Sequence, residues 1–111
     1  MIQLGQEAEN LAAAFLQQQG LRLVTRNYRC RTGEIDLVMD DRGTLVFVEV
    51  RLRKSNHFGG AGASITAHKQ SKLIRAAQHY LQQQKAQPPC RFDALLLDGG
   101  KMEWIKDAFS A

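Results

Sequence analysis

Little in this sequence could staple, anchor or export the chain. It has two cysteines, Cys30 and Cys90, far apart and in no CxxC or CxxH spacing, so no zinc site can be written. Nothing else marks a disulfide scaffold, and both are expected to be reduced thiols of a cytosolic protein. No apolar run approaches the roughly 18 residues of a membrane span. The first residues pass directly into a polar amphipathic pattern, without the basic and apolar regions of a leader. No HxH or HExxH arranges His57, His68 and His79 as ligands, and they are expected at the surface or its boundary. The only two prolines are adjacent, Pro88-Pro89. What remains is 111 residues, 44% apolar, enough for one domain with one core that folds without disulfides.

Neither sign of charge dominates. Fifteen basic against 11 acidic residues leave +4 and a pI near 9.4, a weak preference for an anionic partner. Placement says more. Arg22, Arg26, Arg29 and Arg31 precede the first acidic motif, Arg51, Arg53 and Lys54 follow the second, and Lys69, Lys72 and Arg75 form a third group. Acids enclosed by bases suit a place where metal and phosphate meet; solvated surface is the other reading of the same pattern.

Hydrophobic spacing predicts a helix over 4–19, with Leu4, Ala8, Leu11, Ala12, Phe15 and Leu16 on its buried face and Gly20 as its stop. A strand over 21–29 follows, with Asn27-Tyr28 as its irregular point. After the Thr32-Gly33 turn, residues 34–39 alternate: Ile35, Leu37 and Met39 on one face, Glu34, Asp36 and Val38 on the other. Asp40-Asp41-Arg42-Gly43 reads as a hairpin turn. Residues 45–50 are apolar except for Glu49, as in a central strand covered on both faces. Residues 54–64 read as a mobile glycine-rich surface loop; no GKS or GKT closes it, so no nucleotide site is implied. Thr66 is placed to cap a helix running to about Gln84, with Leu73, Ala76, Ala77, Tyr80 and Leu81 as its stripe. Pro88-Pro89 ends it, and strands over 91–97 and 101–105 flank a Gly99-Gly100 turn. A helix on each side of a three-strand block predicts an α/β domain, a mixed β-sheet of about five strands flanked by two main helices.

Two acids stand out within this pattern. Period two puts Glu49 and Arg51 on one face of an otherwise apolar strand, where a carboxylate is costly without compensation. Counting out from the connecting turn, Asp36 falls about opposite Glu49 on the neighbouring strand. Two carboxylates that close repel each other, and a hard divalent ion such as Mg²⁺ removes the conflict. A salt bridge from either acid to Arg51 or Arg31 is the alternative.

Gly33-Glu34-Ile35-Asp36-Leu37, then Val46-Phe47-Val48-Glu49-Val50-Arg51-Leu52-Arg53, then Lys69 and Arg91-Phe92-Asp93, resemble the YraN-like bacterial family. That family is itself similar to the Holliday-junction-resolvase branch of the PD-(D/E)xK nucleases. The resemblance runs from Gly5 to about Ile105 and is more specific for membership than for activity. It implies a restriction-endonuclease-like fold and a Mg²⁺- or Mn²⁺-dependent endonuclease acting on DNA, branched forms included. Asp36 would be the metal ligand of the "PD" element, here Ile35-Asp36, and Glu49 the (D/E) ligand. Glu9 would be the assisting acid of the first helix, at the edge of its buried stripe.

The sequence departs from the motif at Arg51, where the family of nucleases has lysine. Arginine keeps the charge and clamps phosphate, but a pKa above about 12 bars it from shuttling protons. Lys69, one turn before Leu73, projects near the sheet-facing side and is the stand-in; a lysine snorkelling off the helix terminus is the other reading. Lys72, roughly 60° further round the helix, suits phosphate contact. Arg29, Arg31, Arg53 and Lys54 would position the nucleic-acid backbone. Asp93 reads as structural, paired with an arginine, and Trp104 as core. Two other functions remain open: a nucleic-acid-binding module of the same fold that no longer cleaves, and a small basic adaptor for another protein. Resolvase-like nucleases work as symmetric dimers, but no homodimer surface is readable here.

Overall fold

A computed structural model describes residues 4–52, 65–98 and 101–110. The order is α1 (Leu4–Gln18), β1 (Arg22–Cys30), β2 (Gly33–Asp41), β3 (Thr44–Leu52), α2 (Ala67–Gln82), β4 (Cys90–Asp98) and β5 (Lys101–Phe109). The strands form one mixed sheet in the order β1-β2-β3-β4-β5. Neighbours run antiparallel except β3 and β4, which are parallel and joined through α2. This is the α/β architecture expected from the alternation of elements. The glycine-rich stretch with Arg53, Lys54 and His57, and the Gly99-Gly100 turn, lie outside the described residues.

Each face of the sheet carries one helix. Ala12, Ala13 and Leu16 of α1 pack with Leu37, Met39, Val46, Val48 and Leu95. Ala76, Ala77 and Tyr80 of α2 pack on the opposite face with Ile35, Val38, Phe47 and Phe92. β3 is buried on both faces at its centre, as its apolar run requires. Gly20, at φ +102, closes α1: its N–H bonds Gln17 O and the Leu21 N–H bonds Leu16 O, satisfying two end carbonyls. Between β2 and β3, Arg42 and Gly43 both take positive φ in a two-residue hairpin, and Asp40 Oδ1 accepts the Gly43 N–H at 2.9 Å.

Three expectations are corrected. Leu11 is not on the buried face of α1 but 54% exposed. At 100° per residue the buried arc runs from Ala8 through Ala12 and Leu16 to Ala13, which turns Leu11 outward and places half-buried Glu9 inside the arc. Ile35 does not share a cluster with Leu37 and Met39 but joins the α2 side with Val38. The paired register of β2 and β3 ends at Leu37↔Val48, and beyond it strict alternation no longer governs β2. Finally, β5 continues to Phe109 rather than stopping at 105, across an irregularity where Asp107 takes φ +53.

Asp93 explains that irregularity. Fully buried, it accepts Arg91 Nε at 2.9 Å, Trp104 Nε1 at 2.9 Å and the Asp107 N–H at 2.9 Å. Arg91 also reaches Asp41 at 3.0 Å, tying β4 to the β2–β3 hairpin. A buried carboxylate with this many donors is a structural clamp. Trp104, expected in the core, is half-buried at its margin, packing edge-on against Phe15 of α1 with Lys106 over its ring. Cys30 and Cys90 are both free thiols. Among the described residues no helix is long and apolar enough to cross a membrane.

Candidate active site

The site begins where the β2–β3 ladder stops. Asp36 and Glu49 are the first residues past the last paired positions, Leu37↔Val48, and they line one cleft closely enough for the Glu49 charge to act on Asp36. There the Asp36 side chain replaces a ladder acceptor, with Oδ2 taking the Val50 N–H at 2.9 Å. Alternation along β3 sends Leu45 and Phe47 into the α2-side core, and so puts Glu49 and Arg51 on that same face. The expected juxtaposition of the two carboxylates is therefore observed.

Above them opens a cleft of about 620 Å³ between the start of β2 and the first turns of α2. Asp36 and Glu49 form part of its wall, with Arg29 and Glu34 on the strand side and His68, Lys69 and Lys72 on the helix side. The helix is seated by two local features. Thr66 caps it, its hydroxyl accepting the Lys69 N–H at 3.1 Å. Gly33 lets β2 approach: a Cβ there would lie 3.1 Å from the Lys72 carbonyl oxygen.

Glu49 is only 4% exposed, and its Oε2 receives two cations. Lys69 Nζ lies at 2.9 Å and Arg51 Nη1 at 3.5 Å. The first is a well-formed charge-assisted bond; the second is at the limit of one. Among the described residues Asp36 has no ion pair. Burial, then the neighbouring Glu49 charge, push its carboxyl up from 3.8 to about 8, with Glu9 adding further repulsion and the Val50 N–H opposing the rise. Among the described residues, then, two cations attend Glu49 and none pairs with Asp36.

That deficit is a test of whether the donor set fits a divalent metal, and it does. Two carboxylates offer hard oxygen donors, and a cation between them would offset the Glu49 repulsion that adds to burial in raising the Asp36 pKa. Among the described residues no three Asp, Glu, His or Cys side chains are gathered closely enough to hold a metal, so water and substrate oxygens would complete the shell.

The sequence-derived residues are distributed as follows. Asp36, Glu49, Lys69, Lys72 and Arg29 share the cleft, and Arg51 reaches Glu49 from the strand. Glu9 acts on Asp36 through its charge. Arg29 is already tied to Glu34 at 3.1 Å. Arg31 is exposed and is not part of the cleft wall, while Arg53 and Lys54 lie outside the described residues. Cys30, Glu34 and His68 also belong to the wall, although the sequence sets His68 aside as a surface or boundary residue and gives Cys30 and Glu34 no site role. Their only signal is position, Cys30 and Glu34 flanking the turn before Asp36 and His68 directly preceding Lys69. The hydrogen bond from Thr32 draws the Cys30 thiol pKa down.

Comparison with known proteins gives a consistent result. Residues 8–97 match the model of the uncharacterised protein family UPF0102. A UPF0102 protein of Nitrosomonas europaea is 60% identical over 108 residues, covering 95% of this chain and 92% of the relative. One from Methylobacillus flagellatus is 58% identical over 114 residues, covering both chains completely. A third, from a Janthinobacterium strain, is 55% identical over 107 residues, covering 96% of this chain and 87% of the relative.

Proposed function

This chain belongs to the UPF0102 family, the YraN-like proteins, and from the site its residues build we propose that it is a cytoplasmic, Mg²⁺- or Mn²⁺-dependent endonuclease acting on DNA, branched intermediates included. The observation that carries this reading is the Asp36–Glu49 pair, set against Lys69 in a cleft whose other cations are Arg29 and Lys72. Structural ion pairs satisfy their acids one for one. Among the described residues Asp36 has no ion pair and lines the cleft half-buried, an arrangement more typical of function than of packing.

In this reading Asp36 and Glu49 hold the metal, and Glu9 contributes negative charge to the same place. A bound divalent ion would supply Lewis acidity at the scissile phosphate and a water of lowered pKa. Lys69 places an ammonium where charge develops on the phosphate oxygens. Arg51, always protonated, stabilises charge and does not move a proton. Lys72 and Arg29 hold the strand through its phosphates, a contribution that fixes position and carries no sequence information.

The test is cleavage of linear, flapped and four-way-junction DNA with Mn²⁺, beside Asp36→Ala and Glu49→Ala. Cleavage abolished by both substitutions is the expected result. A second reading, a nucleic-acid-binding module on the same scaffold, is favoured by Arg51 standing where the nuclease motif has lysine. It requires salt-sensitive DNA binding that survives EDTA and both substitutions, with no cleavage of any substrate.

A further inference from the structure

Glu49 Oε2 is the most contested atom in the cleft. It holds Lys69 Nζ at 2.9 Å and Arg51 Nη1 at 3.5 Å, while its side chain is only 5% exposed. An ammonium therefore sits on the carboxylate oxygen that a divalent ion would need. The backbone carrying that ammonium is fixed by the Thr66 cap and by the close approach of Gly33 to Lys72. The side chain is not fixed: it is 44% exposed and rides on a flexible stem.

We propose that Lys69 is a displaceable counter-cation of Glu49, holding Oε2 in the metal-free protein and releasing it when a divalent ion binds, so that loading the site also frees the Lys69 charge for a phosphodiester. The proposal rests on the metal-site reading above and adds an order of events to it. Arg51 is the poorer candidate, because its contact is longer and it comes from the same strand as Glu49. Lys72 serves as the internal control: it shares the cleft wall, and among the described residues it makes no ion pair with either carboxylate. The exchange trades one cation for another at a buried carboxylate, so it needs no movement of the sheet or of α2.

Mn²⁺ binding to the full chain, followed by electron paramagnetic resonance, separates the possibilities. Lys69→Gln is expected to bind Mn²⁺ about three- to tenfold more tightly than wild type, the range set by a partly exposed ion pair. Lys72→Gln should change the affinity by less than about twofold, since it removes the same charge without vacating Oε2. Glu49→Gln should lose the site. In parallel, the Lys69 ammonium resonance, assigned by its absence from Lys69→Gln, should lose its ion-paired signature as diamagnetic Mg²⁺ saturates the protein. Equal affinities for Lys69→Gln and Lys72→Gln, or an ammonium signal unchanged at Mg²⁺ saturation, would overturn the counter-cation role while leaving a Glu49-dependent metal site standing. Absence of Glu49-dependent Mn²⁺ binding in every variant would remove both.

Discussion

Asp36→Asn in metal-free protein offers a direct measure of how the site is held. The Asp36 carboxyl titrates near 3.8 when unfolded and is pushed up to about 8 when folded, chiefly by burial and by Glu49. Between those values the folded state binds the proton that the unfolded state has lost, so stability falls as pH rises. The contribution is fully present below about pH 4 and fully lost above about pH 8. Taken at about 1.4 kcal/mol per pH unit, the ceiling on the loss is about 6 kcal/mol. The cleft is open and water screens the carboxyl, so the expected loss is about 1–3 kcal/mol. Asparagine keeps an oxygen for the Val50 N–H and a donor toward Glu49, but cannot ionise. Urea denaturation in EDTA at pH 5, 6.5 and 8 should therefore show wild type weakening toward alkaline pH relative to the variant. The difference between the two proteins cancels the titrating groups that do not interact with Asp36. Mg²⁺ at pH 8 should then restore wild type and leave the variant unmoved. Parallel pH profiles for the two proteins would refute the account of Asp36 as a carboxyl kept protonated by a missing cation.

Three further outcomes are expected. Asp93→Ala strands Arg91 and Trp104 Nε1 beside the core and should cost about 3–5 kcal/mol in chemical denaturation, with no metal dependence. Gly33→Ala forces a methyl group against the Lys72 carbonyl and should cost about 1–3 kcal/mol. Because it displaces the helix that carries Lys69, it should also disturb the Lys69 ammonium resonance. Lys72→Ala should weaken DNA binding about equally across sequences and lower the log–log salt slope by about 1, measured by fluorescence anisotropy.

Sequence legibility differed between elements for physical reasons. The Asp36–Glu49 juxtaposition followed from a short hairpin and a period of two, because Arg42-Gly43 fixes the register without a bulge between them. The cap at Thr66 and the stripe of α2 were equally local. Leu11 was misplaced because five candidate positions around α1 are alanine or leucine, and composition alone does not say which arc the sheet will cover. Ile35 escaped the alternation because the ladder opens beyond Leu37, an event decided by the Asp36 side chain rather than by strand pattern. The extension of β5 depended on Asp93 drawing in the Asp107 N–H from another strand, and no local signal announces that. Among the cleft residues, His68 was hidden for a similar reason: a helix start becomes a cleft wall only once Gly33 has let α2 come close.

The arginine at position 51 is better understood through space than through the motif. A lysine two residues after Glu49 on β3 would share that acid's face and approach it from the strand. Arg51 retains that approach and charge, but its contact with Oε2 is 3.5 Å, against 2.9 Å for the lysine that α2 supplies. In the proposed reading, the amine is supplied from the helix instead of the strand, at the same carboxylate. Two features make the transfer workable: the cap that orients the first turn of α2, and the glycine that lets this turn stand against β2. Arginine at position 51 then adds a permanent charge without competing equally for the acid. The loss of a motif letter therefore weighs less against phosphodiester chemistry than the letter alone suggests, because a site is defined by which groups meet and not by their order in the chain.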